Sequence, residues 1–258
     1  IHSIAVIGPY AGAAHTGGGG SSAVTPLYTI SPVDGIKKLM GANTAVKYID
    51  GAQTAAAAAL AQSADIAIVM VGNKDREGSD RPNLSLPGNQ DDLISAVAAA
   101  NPHTIVVLKT GGPVLMPWLS KVPAVLEAWY PGEEDGNAVA NLLFGIANPS
   151  GKLTVTFPLS ENDVPAHTPE QYPGVSGTAT YSEGMRVGYR WYDSQKIEPM
   201  FPFGFGLSYT TFALSHLQVA RPDTEGHVTV SLEVANTGST AGDEVVQVYV
   251  GAPATAGE

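Results

Sequence analysis

The 258-residue sequence contains no cysteine, which excludes disulfides, thiol nucleophiles and thiolate metal sites, although it does not fix a compartment. Basic residues are scarce: 13 Lys and Arg stand against 24 Asp and Glu, for a formal charge of −11. A chain this acidic is repelled by phosphate backbones and anionic lipid, so neither nucleic acid nor a membrane surface is expected as a main partner. No apolar run is long enough to cross a bilayer, and no basic-then-apolar leader precedes the first strand. The six histidines, His2, His15, His103, His167, His216 and His227, are scattered without an H-E-x-x-H or other ligand spacing, so they read as surface or satisfied loop residues and no metal is expected. A G-x-S-x-G elbow is also missing, which argues against a serine hydrolase.

What is present is a 44% hydrophobic composition, enough for a sizeable core. Over the first 150 or so residues, short apolar strands alternate with helical patterns. Strands are expected at Ile4–Ile7, Val46–Ile49, Ile66–Val71, Thr104–Leu108 and Ala124–Tyr130. Helices are expected at Val33–Met40 behind a Ser31-Pro32 cap, at Gln53–Ala64, at Asp91–Ala100 and at Asn137–Phe144. Continuous apolar strands separated by helices predict an α/β fold: a mainly parallel sheet sandwiched between helices. The chain opens directly on a strand, which suggests an internal starting point.

The pattern changes after Asn148-Pro149-Ser150-Gly151. Leu153–Phe157 reads as one more strand, Glu161–Thr180 as a long polar excursion, and Tyr181–Tyr209 as an aromatic, glycine-rich segment too irregular for a helix. From Phe212 onward the alternation is that of an antiparallel sandwich, with strands at Val228–Val234 and Val245–Val250 around a turn at Asn236-Thr237-Gly238. About three strands fit before Glu258, whereas such a sandwich needs about seven. The division expected is therefore residues 1–210 as the α/β domain and 211–258 as an incomplete β-sandwich.

The chemistry concentrates in Glu77–Gln90, a loop that leaves the third strand. In open α/β sheets ligands bind at that end of the strands, which makes Glu77 the first candidate. Glycosidic bond cleavage uses two carboxyl groups, and nothing near Glu77 in sequence is a clear second. Asp75 and Asp80 are close, but neighbouring loop positions rarely face one another across a sugar, and the bland alternative for Glu77 is a solvated loop carboxylate. Asp80 beside Arg81 suggests an anchor for the loop. The run Gly17-Gly18-Gly19-Gly20-Ser21-Ser22 lacks a P-loop lysine and the G-x-G-x-x-G spacing. Two readings of it are open: a flexible connection, or a backbone lying close against a neutral, hydroxyl-rich ligand with Ser21 or Ser22 supplying hydrogen bonds. Glu133-Glu134-Asp135 fits the positive end of the helix that follows. Glu183 and Arg186 are placed to pair with each other or with the Glu77 loop.

Several motifs in order carry a resemblance. They are Ile4–Pro9, the glycine run ending at Ser21-Ser22, Glu77–Gln90, Trp129-Tyr130-Pro131-Gly132 with Gly136-Asn137-Ala138, Asn148–Leu153, Gly188–Asp193 and Phe201–Thr210. The chain resembles the C-terminal half of glycoside hydrolase family 3 enzymes, the β-glucosidase and β-xylosidase group. The resemblance implies a (β/α)8 barrel followed by an α/β sandwich domain and, often, a fibronectin type III-like domain, of which this chain matches the second and the opening strands of the third. It implies a barrel aspartate in a Ser-Asp-Trp-like motif as nucleophile, and no such motif occurs here. It further implies Glu77 as general acid/base, with Asp75 and Asp80 as alternatives because loop length varies. Ser21 and, beside it, Ser22 become substrate-binding candidates. The expected activity is retaining hydrolysis of terminal β-D-glucosyl residues without a cofactor, and the expected partners are the β-glucoside and a barrel supplied elsewhere. By itself the chain is expected to be inactive. The alternatives are a non-catalytic sugar-binding or docking module and a member acting on β-xylosides. A secreted or periplasmic setting is favoured over the cytoplasm.

Overall fold

A computed structural model describes residues 1–251. Five strands, β1 (Ser3–Ile7), β2 (Ala45–Ile49), β3 (Ile66–Gly72), β4 (Thr104–Lys109) and β5 (Ala124–Glu127), form one sheet. Its order is β2-β1-β3-β4-β5, and every neighbouring pair is parallel. Helices α1 (Pro32–Met40), α2 (Thr54–Gln62), α3 (Gln90–Ala100) and α4 (Asp135–Leu143) cover it, as the apolar strands require.

Side chains alternate across the sheet and build two cores. Ala5, Ile7, Val69, Val71, Val106 and Leu108 meet Ala57 and Ala61 of α2 and Leu93, Ile94 and Val97 of α3. Ile4, Val6, Ile68, Met70 and Val107 meet Val33 and Ile36 of α1 and Val139 and Ala140 of α4. Helix α1 begins where its sequence directs: Ser31 accepts a bond from the Asp34 N–H at 3.2 Å, and Pro32 occupies the first turn. Helices α1 and α4 approach closely because Gly35 faces Gly136; a Cβ on Gly35 would lie 2.1 Å from the Gly136 carbonyl oxygen.

Four expected features differ in the structure. The strand expected over Ala124–Tyr130 ends at Glu127, because the backbone turns left-handed at Trp129 (φ 52°). Leu153–Phe157 does not join the sheet; Leu153 and Phe157 instead exchange backbone bonds with the Met200–Phe205 segment. The aromatic segment does contain a helix, α5 (Tyr189–Gln195), two turns long and stopped by the left-handed Lys196. Of the three strands expected near the end, two form: β6 (Phe212–Val219) and β7 (Val230–Asn236) make an antiparallel pair with an irregularity between Ser215 and Gln218. Val245–Val250 forms no strand. Side chains hold it instead, with Gln247 donating to the Gly204 carbonyl at 3.0 Å and the Tyr249 ring 5.4 Å from that of Tyr189.

Candidate functional site

Strand β1 leads through α1 to β2 on one side, whereas β3 leads through α3 to β4 on the other. The chain therefore reverses direction across the sheet between β1 and β3, and a crevice opens above their C-terminal ends. The glycine run leaves β1 and the Glu77 loop leaves β3, so the topology alone brings these two segments together.

They meet as paired backbone. Gly19 and Arg76 form a parallel bridge, and the Gly19 N–H donates to the Asp75 carbonyl at 3.0 Å. A Cβ on Gly18 would lie 2.6 Å from the Asp75 oxygen, and one on Gly20 would lie 2.7 Å from the Glu77 Cβ. Gly20 also has φ 74°, which disfavours any side chain there. The run is thus a packed ledge, and the flexible-connection reading does not hold. At the end of the ledge, the Ser21 N–H donates to Glu77 Oε2 at 3.1 Å, while the Ser22 hydroxyl donates to the Gly19 carbonyl at 3.0 Å. An open depression of about 530 Å³ lies beside it, bordered by Gly18, Ser22, Asp75, Glu77, Gly111, Trp129 and Tyr130.

The three acidic candidates of this loop separate by what they touch. Asp75 faces Arg81, with Nε 3.5 Å from Oδ1, and Arg81 Nη1 donates to the Pro113 carbonyl at 3.0 Å. Asp80 does not pair with its neighbour Arg81, the anchor suggested by sequence, but faces the Tyr172 hydroxyl. Arg81 reaches back to Asp75 because Arg81 projects toward the loop after β4. Glu77 accepts the Ser21 N–H and borders the depression. The polar excursion also grips this loop, since Glu161 accepts the Leu84 N–H at 2.8 Å.

Beneath the crevice lies a buried charge pair. Lys109, the last residue of β4, and Asp135, the first of α4, are both fully buried and joined by a salt bridge. Lys109 also donates to the Tyr10 carbonyl at 3.0 Å, and Asp135 accepts the His15 N–H at 2.8 Å. Burial pulls Lys109 down and pushes Asp135 up, each opposed by the opposite charge of the other. Asp135 therefore serves the β4 lysine as well as the helix terminus. Its neighbours Glu134 and Glu133 hold the incoming loop, through the Tyr28 hydroxyl and the Leu27 N–H.

Sequence reasoning missed four residues. His15 is buried between the rings of Tyr10 (5.1 Å) and Tyr130 (4.2 Å). Burial, with Lys109 and Lys74 adding to it, lowers its pKa to about 4, so it is neutral at pH 7. Glu127 closes β5 and accepts from the Trp129 N–H (2.8 Å) and the Thr110 hydroxyl (3.1 Å). Its burial outweighs those bonds and raises its pKa to about 8. Tyr130 and Asn73 share a hydrogen-bond chain with Asp75. Trp129-Tyr130 after an apolar strand was the available signal, since an aromatic pair at a strand's C-terminal end borders the binding face of this fold class.

Comparison with known proteins agrees with this fold. The Glycosyl hydrolase family 3 C-terminal domain matches residues 1–209. A β-glucosidase of Rhizobium radiobacter is 47% identical over 213 residues, covering 80% of this chain and 26% of its own. Thermostable beta-glucosidase B of Acetivibrio thermocellus is 41% identical over 263 aligned positions, covering 96% of this chain and 35% of its own. Among solved structures, DesR, a β-glucosidase from Streptomyces venezuelae in complex with D-glucose, superposes with a TM-score of 0.89 at 35% identity, over 91% of this chain and 44% of that one. The chain thus spans between about a quarter and less than half of the length of these relatives. With the family domain matched from residue 1 to residue 209 and the fold shared with its solved members, the chain belongs to glycoside hydrolase family 3, as its C-terminal domain.

Proposed function

We propose that this chain supplies the general acid/base of a retaining β-glucosidase, and that Glu77 is that residue. The observation that carries the reading is the placement of Glu77 at the rim of the β1/β3 crevice, held by the Ser21 N–H beside the depression; Asp75 borders the same depression but is engaged by Arg81, and Asp80 faces Tyr172. A carboxyl in that position can reach a leaving-group oxygen, whereas Asp75 is engaged by Arg81 and Asp80 by Tyr172.

The second carboxyl comes from outside this chain, on a (β/α)8 barrel docked over the crevice. Its aspartate attacks the anomeric carbon and the C–O bond to the leaving group breaks as Glu77 transfers its proton to that oxygen. Glu77, now a carboxylate, takes a proton from water, whose oxygen displaces the aspartate and restores both groups. This geometry calls for carboxyls about 5–5.5 Å apart in the assembled enzyme. Ser22, at the border of the depression, and Ser21, next to it, are the proposed contacts for sugar hydroxyls. In this arrangement residues 1–210 form the acid/base domain, residues 211–251 begin a fibronectin type III-like sandwich whose expected remainder, 252–258, lies outside the described residues, and the chain alone is inactive.

The test is Glu77→Ala in the full-length enzyme, assayed with an aryl β-glucoside. Activity is expected to fall by about 100-fold or more and to be partly restored by azide, which needs no general base. Wild-type activity without azide would refute the assignment. Calorimetric titration of the chain alone with glucose and cellobiose addresses the binding-module alternative, for which appreciable affinity without the barrel is the signature. Assay against a β-xyloside decides between the two sugars.

A further inference from the structure

We propose that Tyr130 is the positioning residue for the acid/base carboxyl, holding the Glu77 loop in register through a single hydroxyl; this rests on Glu77 having that role. The Tyr130 hydroxyl accepts the Asp75 N–H at 2.8 Å and donates to Asn73 Oδ1 at 3.1 Å. Asn73 is itself fixed, because its N–H donates to the Lys109 carbonyl at 3.1 Å and its Oδ1 accepts the Gly111 N–H at 3.1 Å. The hydroxyl thus ties the loop after β3 to the ends of β4 and β5, two residues before Glu77.

The other side of the same peptide segment is held as well. The Asp75 carbonyl accepts the Gly19 N–H at 3.0 Å, so Asp75 is clamped between Tyr130 and the glycine ledge. From there Arg76 pairs with Gly19 and Glu77 receives the Ser21 N–H. The Tyr130 ring is immobilised against His15, whose own N–H is anchored on the buried Asp135. Burial pushes the Tyr130 hydroxyl above the ordinary phenol range, so it keeps the proton that Asn73 receives.

Removing that oxygen leaves the ring packed but releases the Asp75 N–H. Displacing a catalytic group by about 1 Å costs on the order of 100-fold in rate. The loss should fall on the step that needs a proton, and it separates by leaving group. In the full-length enzyme, Tyr130→Phe is expected to lower kcat/KM about 10- to 100-fold for phenyl and alkyl β-glucosides. For 2,4-dinitrophenyl β-glucoside, whose phenolate departs without a proton, kcat/KM is expected to stay within about threefold of wild type, with Glu77→Gln showing the same pattern more strongly. A uniform loss across all leaving groups for Tyr130→Phe, or no loss, would overturn the proposal while the Glu77 reading stands. A Glu77→Gln enzyme without leaving-group dependence would overturn both. Should Tyr130→Phe not fold, Asn73→Ala breaks the same chain from its other end, and the same two outcomes decide.

Discussion

Ser21 holds Glu77 by its main chain: the Ser21 N–H lies 3.1 Å from Oε2. The hold therefore depends on the course of the glycine ledge more than on the serine side chain. Ser21→Ala is expected to keep kcat within about threefold, with any effect confined to KM for the sugar. Gly20→Ala introduces a Cβ 2.7 Å from that of Glu77 at a left-handed backbone position and is expected to cost about 1–2 kcal/mol in stability. It should also lower kcat/KM by about 10-fold or more as the ledge shifts. Steady-state kinetics and thermal denaturation of the full-length variants check both.

The Lys109–Asp135 pair is wholly buried, so removing one partner strands a charge. Lys109→Met is expected to destabilise by about 3–5 kcal/mol. Adding Asp135→Leu should recover most of that loss, since an apolar pair of similar volume avoids the desolvation of both ions. Urea unfolding of the two singles and the double gives the coupling directly.

Glu127 holds its proton to about pH 8 in the folded chain and releases it near pH 4.5 when unfolded. Between these values the folded state binds more protons, so this group's stabilisation is complete below pH 4.5 and is lost as pH rises through 8. Glu127→Gln mimics the protonated form and removes that slope. Its melting temperature should exceed that of wild type at pH 9, by an amount on the order of 3 kcal/mol in stability, and match it at pH 4.5.

His15 runs the other way. Its folded pKa of about 4 lies below the unfolded 6.5, so the unfolded chain binds the extra proton between those values. The stabilisation is present above pH 6.5 and is lost as pH falls through 4. His15→Gln is expected to flatten that part of the stability profile, measured as melting temperature from pH 4 to pH 7.

Four of the five sheet strands were legible because parallel strands buried on both faces are continuous apolar runs, as in Ile66–Val71. Strand β5 was overextended because nothing in Leu126-Glu127-Ala128-Trp129 announces a left-handed residue at Trp129. Helix α5 was hidden by its aromatic composition, which favours strands when read locally. Glu77 was legible as a candidate, because its loop leaves a buried strand at the end where open α/β sheets bind ligands. Its supports were not, because they join residues far apart in sequence: Tyr130 with Asp75, His15 with Asp135, Arg81 with Pro113. The same distance explains the misassigned arginine. Adjacency suggested Asp80 for Arg81, while the fold offers Asp75 and gives Asp80 to Tyr172.

Because all five strands run in one direction, the Glu77 crevice lies at one rim of the sheet and most helix-to-strand connections at the other. Every segment of the crevice leaves a strand at its C-terminal end. The helix-to-strand connections around residues 41–44, 63–65, 101–103 and 122–123 gather at the opposite rim. That rim is knitted by side-chain bonds between its connections: Asp65 receives the N–H groups of His2 and Ser3, and Asn101 donates to the carbonyls of Ala61 and Ala64. A fluorophore or an immobilisation linker placed at Ala42 or Asn43 would consequently sit a strand length from the Glu77 crevice. For an engineer, the sheet's polarity marks which side of this domain to hold it by.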